Sequence, residues 1–211
     1  MNRMVRDGYY YAIAMIVAGI ILGELTIWWI ALIPLLLAAF FLWFFRDPER
    51  HVPTAPGLIL SPADGKVTEI VQFSQGPQDF TRISIFLNVF DVHVNRTPIA
   101  GLVRDVHYQK GKFLDARNPQ CSENNEQNVV TIEGEGKIVV LKQIAGLLAR
   151  RLVFDKRVGD PVARGERIGM MKFGSRADVI FDRGASLQVK VGDRVVGGES
   201  VLAIELTGER A

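Results

Sequence analysis

From Tyr9 to Phe45 the chain carries a single charged side chain, Glu24, in an otherwise apolar run. So long an apolar segment satisfies its backbone polar groups internally, as helix, and belongs in lipid rather than water. Thr26–Phe45 holds 20 residues, and at about 1.5 Å rise per residue a helix of that length crosses a hydrocarbon core of about 30 Å. Trp28 and Trp29 near one end and Trp43 near the other suit the two interfaces. Pro34 is expected to kink this helix. The preceding run, Tyr9–Gly23, holds 15 residues and is marginal as a span, and Gly23-Glu24-Leu25 reads as a tight polar turn. Arg3 and Arg6 precede the pair and Arg46 and Arg50 follow it, so the positive-inside tendency puts both flanks in the cytoplasm. The expectation is a transmembrane helical hairpin over residues 1–45 at the cell membrane, with residues 46–211 on the cytoplasmic side. A single span with a surface-lying first helix is the competing arrangement. A cleaved secretory signal is disfavoured, because the apolar region is too long and no small-residue cleavage site precedes the folded part.

Beyond Arg46 the composition becomes ordinary, and β-branched runs alternate with Gly, Pro and Asp. Val67–Phe73, Arg82–Val89, Gly101–Tyr108, Asn128–Glu133 and Lys137–Ile144 read as half-buried strands. Only Gln143–Arg151 invites a short helix. Val158-Gly159-Asp160-Pro161-Val162-Ala163-Arg164-Gly165-Glu166 returns 33 residues later as Val191-Gly192-Asp193-Arg194-Val195-Val196-Gly197-Gly198-Glu199. Each copy sets a Gly-Asp turn, a valine and a glycine turn before an apolar strand, which predicts a mainly β, hairpin-built domain of barrel-sandwich or hammerhead-like form.

Several function classes drop out. A formal charge of +2, with no basic run interleaved by aromatics, argues against nucleic acid as a partner. One cysteine, Cys121, builds neither an internal disulfide nor a cysteine-based zinc site. The three histidines, His51, His93 and His107, lack HExxH spacing, which disfavours a metal enzyme.

Two chemistries remain, and both lie between the copies of the repeat. In Gly174-Ser175 a hydroxyl sits beside the carbonyl of the peptide bond that precedes it, and glycine permits backbone geometries barred to other residues. Such a bond could cut itself, although Gly-Ser is also a common turn dipeptide. The alternative is Met171-Lys172-Phe173, which resembles the tip of a biotin or lipoyl carrier hairpin and would make Lys172 a modified swinging arm. A membrane adaptor with a partner-binding β-domain is a third reading.

Five phrases, in order, resemble the short, archaeal-type form of phosphatidylserine decarboxylase. They are Phe44-Phe45-Arg46-Asp47-Pro48-Glu49-Arg50, Ser61-Pro62-Ala63-Asp64-Gly65-Lys66-Val67, the stretch from Phe86 to Pro98 that holds Asp91-Val92-His93-Val94-Asn95, Gln143-Ile144-Ala145-Gly146-Leu147-Leu148-Ala149-Arg150-Arg151, and Gly169-Met170-Met171-Lys172-Phe173-Gly174-Ser175-Arg176. The resemblance implies a proenzyme that cuts itself between Gly174 and Ser175. Residues 1–174 and 175–211 would then form a heterodimer, alone or within a higher oligomer. Ser175 would become a covalent pyruvoyl group that forms a Schiff base with phosphatidylserine and draws off the electrons released with CO₂, with neither pyridoxal phosphate nor a metal. It also carries over Asp64 and His93 as partners of Ser175, in the manner of a carboxylate orienting an imidazole that activates a hydroxyl. The longer bacterial form has two histidines in the corresponding motif and this chain has only His93, His107 being a poor stand-in. An Arg46/Arg50 collar would favour anionic lipid.

Overall fold

In the computed structural model, which describes residues 3–25, 28–147, 151–172 and 174–205, the chain divides into two compact units, Met1–Glu49 and Arg50–Ala211. The first comprises β1 (Arg3–Met4), α1 (Arg6–Leu25), a 3-10 turn (Trp28–Ala31), α2 (Leu32–Phe44) and β2 (Arg46–Asp47). Strands β1 and β2 pair antiparallel, which ties Arg46 and Asp47 to the helices and carries this unit past Phe45.

The expected helix lengths are reversed. Helix α1 runs through Gly23, Glu24 and Leu25, where a turn was expected, and reaches 20 residues. It is long and apolar enough to cross a membrane. Helix α2 has only 13 residues, because the Trp28–Ala31 segment winds as 3-10 helix. Pro34 sits in the first turn of α2, where a missing N–H leaves no bond unmade, so it begins a helix instead of kinking one. The two helices pack on each other through Tyr11, whose ring centroid lies 5.4 Å from Phe41 and 5.6 Å from Phe45. A Cβ on Gly19 would approach Leu35 to 3.2 Å, so the small residue sets the closeness of the pair. Ile13, Ile20, Ile33 and Leu36 stay exposed, an apolar surface suited to lipid.

The second unit holds β3 (Leu58–Leu60), β4 (Gly65–Gln75), β5 (Gln78–Leu87), β6 (Val94–Arg96), β7 (Gly101–Gln109), the short helix α3 (Cys121–Asn124), β8 (Gln127–Gly134), β9 (Lys137–Ile144), β10 (Leu152–Phe154), β11 (Pro161–Val162), β12 (Arg167–Met171), β13 (Ser175–Asp182), β14 (Ser186–Leu187), β15 (Arg194–Val195) and β16 (Val201–Ile204). All five strands read from the sequence are present. The helix expected over Gln143–Arg151 is not: Gln143 and Ile144 end β9, Ala145 to Leu147 are non-helical, and residues 148–150 lie outside the described ones. The strand prevails because β9 pairs with both β8 and β13, and Asn125 Nδ2 binds the Ala145 carbonyl at 2.7 Å.

Eight strands form one antiparallel sheet in the order β11-β7-β8-β9-β13-β5-β4-β15, flanked by two three-stranded sheets, β10-β12-β6 and β14-β16-β3. The two edges of the large sheet are built alike, β11 on β7 and β15 on β4, and the 33-residue repeat explains why. Gly159 N–H donates to Val103 O and Gly192 N–H to Val67 O, each at 2.8 Å, so the two copies dock on β7 and β4 in the same way. A second duplication pairs Ser61-Pro62-Ala63-Asp64-Gly65-Lys66-Val67 with Thr97-Pro98-Ile99-Ala100-Gly101-Leu102-Val103. Leu60 N–H donates to Pro98 O and Arg96 N–H to Pro62 O, both at 2.9 Å, linking the halves reciprocally. Strand β13 thereby lies at the centre, between β9 of one half and β5 of the other.

Alternation along the central strands sorts the side chains. Ile83, Ile85 and Leu87 of β5 and Ala177, Val179 and Phe181 of β13 enter the apolar core with Leu141, Ile132 and Val103. Arg82, Ser84, Arg176 and Asp178 point to the opposite face. There α3 brings Ser122 and the fully buried Cys121, whose thiol burial pushes up to about 11 from an ordinary value of 9.0. The unfolded chain therefore releases this proton near pH 9 and the folded one near pH 11. Stability from this group is complete below pH 9 and falls as pH rises through that window. Iodoacetamide at pH 8 is expected to leave Cys121 unlabelled in native protein and to label it fully in urea. Equal labelling rates, followed by intact mass, would contradict this burial.

Candidate functional site

Ser175 opens β13 opposite Leu87, with its side chain fully buried. Its Oγ has no hydrogen-bond partner among the described residues, an uncommon state for a buried hydroxyl. Gly174, just before it, has φ +68°, in the left-handed region that favours glycine, and a Cβ there would meet nothing within 4 Å. Conformation, not space, asks for glycine at 174. At Gly146 the reverse holds: a Cβ would come 2.3 Å from the Gly174 carbonyl oxygen, so that oxygen passes directly over the Gly146 backbone.

His93 is fully buried in the segment between β5 and β6. Its Nε2 accepts the Gly174 N–H at 3.1 Å, and its Nδ1 lies 2.9 Å from the Asp91 carbonyl. Both contacts fit one neutral tautomer, protonated on Nδ1, with the lone pair on Nε2 directed at the Gly174-Ser175 segment. Asp91 is itself fixed: its Oδ2 accepts the Asn88 N–H at 2.8 Å, its Oδ1 takes Arg194, and its N–H donates to Asn88 O at 2.9 Å. The tight turn from Asn88 to Asp91 thus aims the imidazole.

Asp64 is held between two other segments of the domain. Its Oδ1 accepts the Gly197 N–H at 2.8 Å, and both its oxygens bind Arg50 Nη2, at 2.9 and 3.0 Å. The carboxylate therefore ties two segments together. Ala100 stands at the equivalent place in the other half, so the turn does not require a carboxylate. The Nδ1 position that a triad carboxylate would hold is taken by the Asp91 carbonyl. Arg50, expected in a lipid-facing collar, is drawn onto Asp64 with its side chain only 8% exposed.

Lys172 is buried, which removes it as a carrier's swinging arm, since such an arm needs an exposed hairpin tip. His107 is exposed on β7, opposite Val129. A cleft of about 290 Å³ opens beside Gly174, lined by Phe86, Asn88, Val89, Ala116, Leu147 and the Asp115–Arg117 pair. Arg117 binds the Asp115 carboxylate through Nε at 3.0 Å and Nη2 at 2.6 Å, which lowers its pKa to about 2. Among the described residues that line the cleft, Arg117 is the one cation.

The model of the phosphatidylserine decarboxylase family matches residues 37–203. A relative from Solibacter usitatus (strain Ellin6076), named phosphatidylserine decarboxylase proenzyme, is 50% identical over 209 residues, covering 97% of this chain and 98% of its own. This chain belongs to the phosphatidylserine decarboxylase family. Proenzymes of the same name from Syntrophus aciditrophicus (strain SB) and Cereibacter sphaeroides (strain ATCC 17025 / ATH 2.4.3) are 47% and 44% identical over 82% and 93% of the chain. Membership in the decarboxylase family removes the carrier and adaptor readings. Asp91 and Gly146 are the site residues that the motifs contained without revealing: one acts through its main-chain carbonyl and the other through its lack of a side chain.

Proposed function

We propose that this chain is a phosphatidylserine decarboxylase proenzyme that cuts itself between Gly174 and Ser175 and uses the product as its prosthetic group. The observation that carries the reading is the buried Ser175 hydroxyl, unpartnered among the described residues, beside a Gly174 amide held by His93. Oγ adds to the Gly174 carbonyl carbon, and the C–N bond breaks to leave an ester. Loss of the Ser175 Cα proton expels the Gly174 carboxylate, and hydrolysis of the resulting enamine releases ammonia and leaves a pyruvoyl terminus on residues 175–211. A neutral Nε2 needs only to exchange the Gly174 N–H for the Ser175 O–H to act as general base. His93 is the group offered for both the cut and the later protonation of product carbon. Asp64, held by Arg50 and Gly197, braces the wall of the site in this reading and keeps a carboxylate within the framework that supports it.

The residues present fit a pyruvoyl group, since a buried hydroxyl without a partner leaves its atoms free to change chemistry without breaking a hydrogen bond. When formed, that group supplies an electron sink for decarboxylation of an amine-bearing substrate. The cleft beside Gly174 admits a serine head group, and Arg117 offers N–H donors to its phosphodiester. The lipid substrate fits an anchor made from α1 and α2, with Arg3, Arg6 and Arg46 favouring the cytoplasmic face of the cell membrane. The mature form is then at least a heterodimer of the two pieces.

Denaturing mass spectrometry tests the reading. Two polypeptides split between residues 174 and 175 are expected, the smaller without a free amine, together with CO₂ release from phosphatidylserine vesicles in the absence of pyridoxal phosphate. His93→Ala should slow processing by about 100- to 10,000-fold, the usual contribution of a general base. One continuous wild-type chain with an unaltered Ser175 would refute the proposal, and normal processing of the His93 variant would remove His93 from it.

A further inference from the structure

Immediately after Ser175 the chain buries a charge. Arg176 is 1% exposed, and its guanidinium donates through Nε to Asp178 Oδ1 at 2.7 Å and through Nη2 to Glu69 Oε2 at 2.8 Å and Ser84 Oγ at 2.5 Å. Arg82 Nη2 donates to the same Glu69 oxygen at 3.0 Å, and Ser122 joins Arg82 to the buried Asp178. Two guanidinium groups and two carboxylates balance one another on the outer face of the central strands. Glu69 reaches this face only because of a bulge. Between Val67 and Glu69 the register on β5 shifts by one residue, so Val67 opposes core-facing Ile85 while Glu69 opposes outward-facing Ser84.

The partners of Arg176 fall on both sides of the proposed cut. Asp178 would belong to the 175–211 piece, whereas Glu69 on β4 and Ser84 on β5 would belong to the 1–174 piece. Cutting turns Ser175 from an interior residue into a chain end, and chain ends fray unless they are tied down. Its neighbour's planar guanidinium holds Asp178 of its own piece through Nε and Glu69 and Ser84 of the other through Nη2, a spread of donors that lysine reproduces only as a point charge. Building on the self-cutting proposal, we infer that Arg176 is a positioning residue, a clamp that keeps the new terminus of the 175–211 piece fixed against Glu69 and Ser84 after the bond to Gly174 is gone.

The test uses Arg176→Lys, which keeps the charge, and Glu69→Gln, which removes one strut from a partly exposed position and leaves Asp178 paired. Each is made in the full-length protein and again with Ser175→Ala, which stays uncut. In the cut variants processing is expected to complete, with KM for phosphatidylserine vesicles within twofold of wild type and kcat lowered at least tenfold. Hydrogen exchange at the β13 amides 176–178 should quicken at least tenfold in the cut variants and less than twofold in their uncut counterparts. A kcat within twofold of wild type, or equal quickening with and without the cut, would overturn the clamp and leave the self-cutting proposal standing. A wild-type protein that is never cut would overturn both.

Discussion

Ser175→Ala is expected to accumulate as one uncut polypeptide that releases no CO₂ from phosphatidylserine vesicles, yet remains folded. The chemical half follows from the nucleophile: without Oγ no ester forms, and the peptide bond that follows Gly174 is then an ordinary amide. The physical half follows from burial. A buried hydroxyl with no hydrogen bond costs about 1–3 kcal/mol of desolvation with nothing in return, so its removal relieves the fold instead of damaging it. Calorimetry should place the melting temperature of the variant no lower than that of the cut wild-type protein, since the link between residues 174 and 175 is also retained. Efficient cutting of the variant would exclude Ser175 as nucleophile, and a large drop in melting temperature would show that the hydroxyl is partnered after all.

Gly146→Ala should nearly abolish processing from a position that contributes no functional group. The added Cβ would stand 2.3 Å from the Gly174 carbonyl oxygen, against about 3.0 Å for the closest such contacts that real structures tolerate. The Gly174 carbonyl, the proposed point of attack, must therefore move by about 0.7 Å, and a misplacement of about 1 Å at reacting atoms costs on the order of 100-fold in rate. A time course of cutting, read on denaturing gels, is expected to slow by about that factor, while far-UV circular dichroism stays native. Wild-type processing would mean that the Gly174 carbonyl does not need its present position.

Much of the β-domain was legible because strands announce themselves by alternation and their turns by Gly and Asp. Lys137–Ile144 coincides with β9, and the other four expected strands differ from the observed ones only at their ends. The anchor was less legible. Hydropathy treats the residues from Trp28 to Phe44 as one apolar run, but it does not register the change from 3-10 to α winding that shortens α2 and gives Pro34 an ordinary place. At the site, Gly174, Ser175 and His93 could be picked from motifs, and the structure brings them together. Their supports could not, because they act through main-chain atoms: the Asp91 carbonyl holds His93 Nδ1, and the bare Gly146 Cα accommodates the Gly174 carbonyl. Arg50 misled for a different reason. A basic residue after an apolar run looks like a lipid contact until the fold supplies a carboxylate, and Asp64 lies 14 residues further along the chain. The bulge that turns Glu69 outward has no side-chain signature, so nothing in the sequence pairs Glu69 with Arg176.

The strand order of the large sheet bears on what the proposed cut would do to this molecule. The described residues from 175 to 205 contribute a middle ribbon and one edge of that sheet together with two of the three ribbons of a flanking one, so the shorter piece of the proposed cut would be woven through the longer. Under the proposed cut, severing the backbone here would resemble snipping a thread inside a finished fabric: the weave is expected to outlast the snip, with the stitches around the new end already in place.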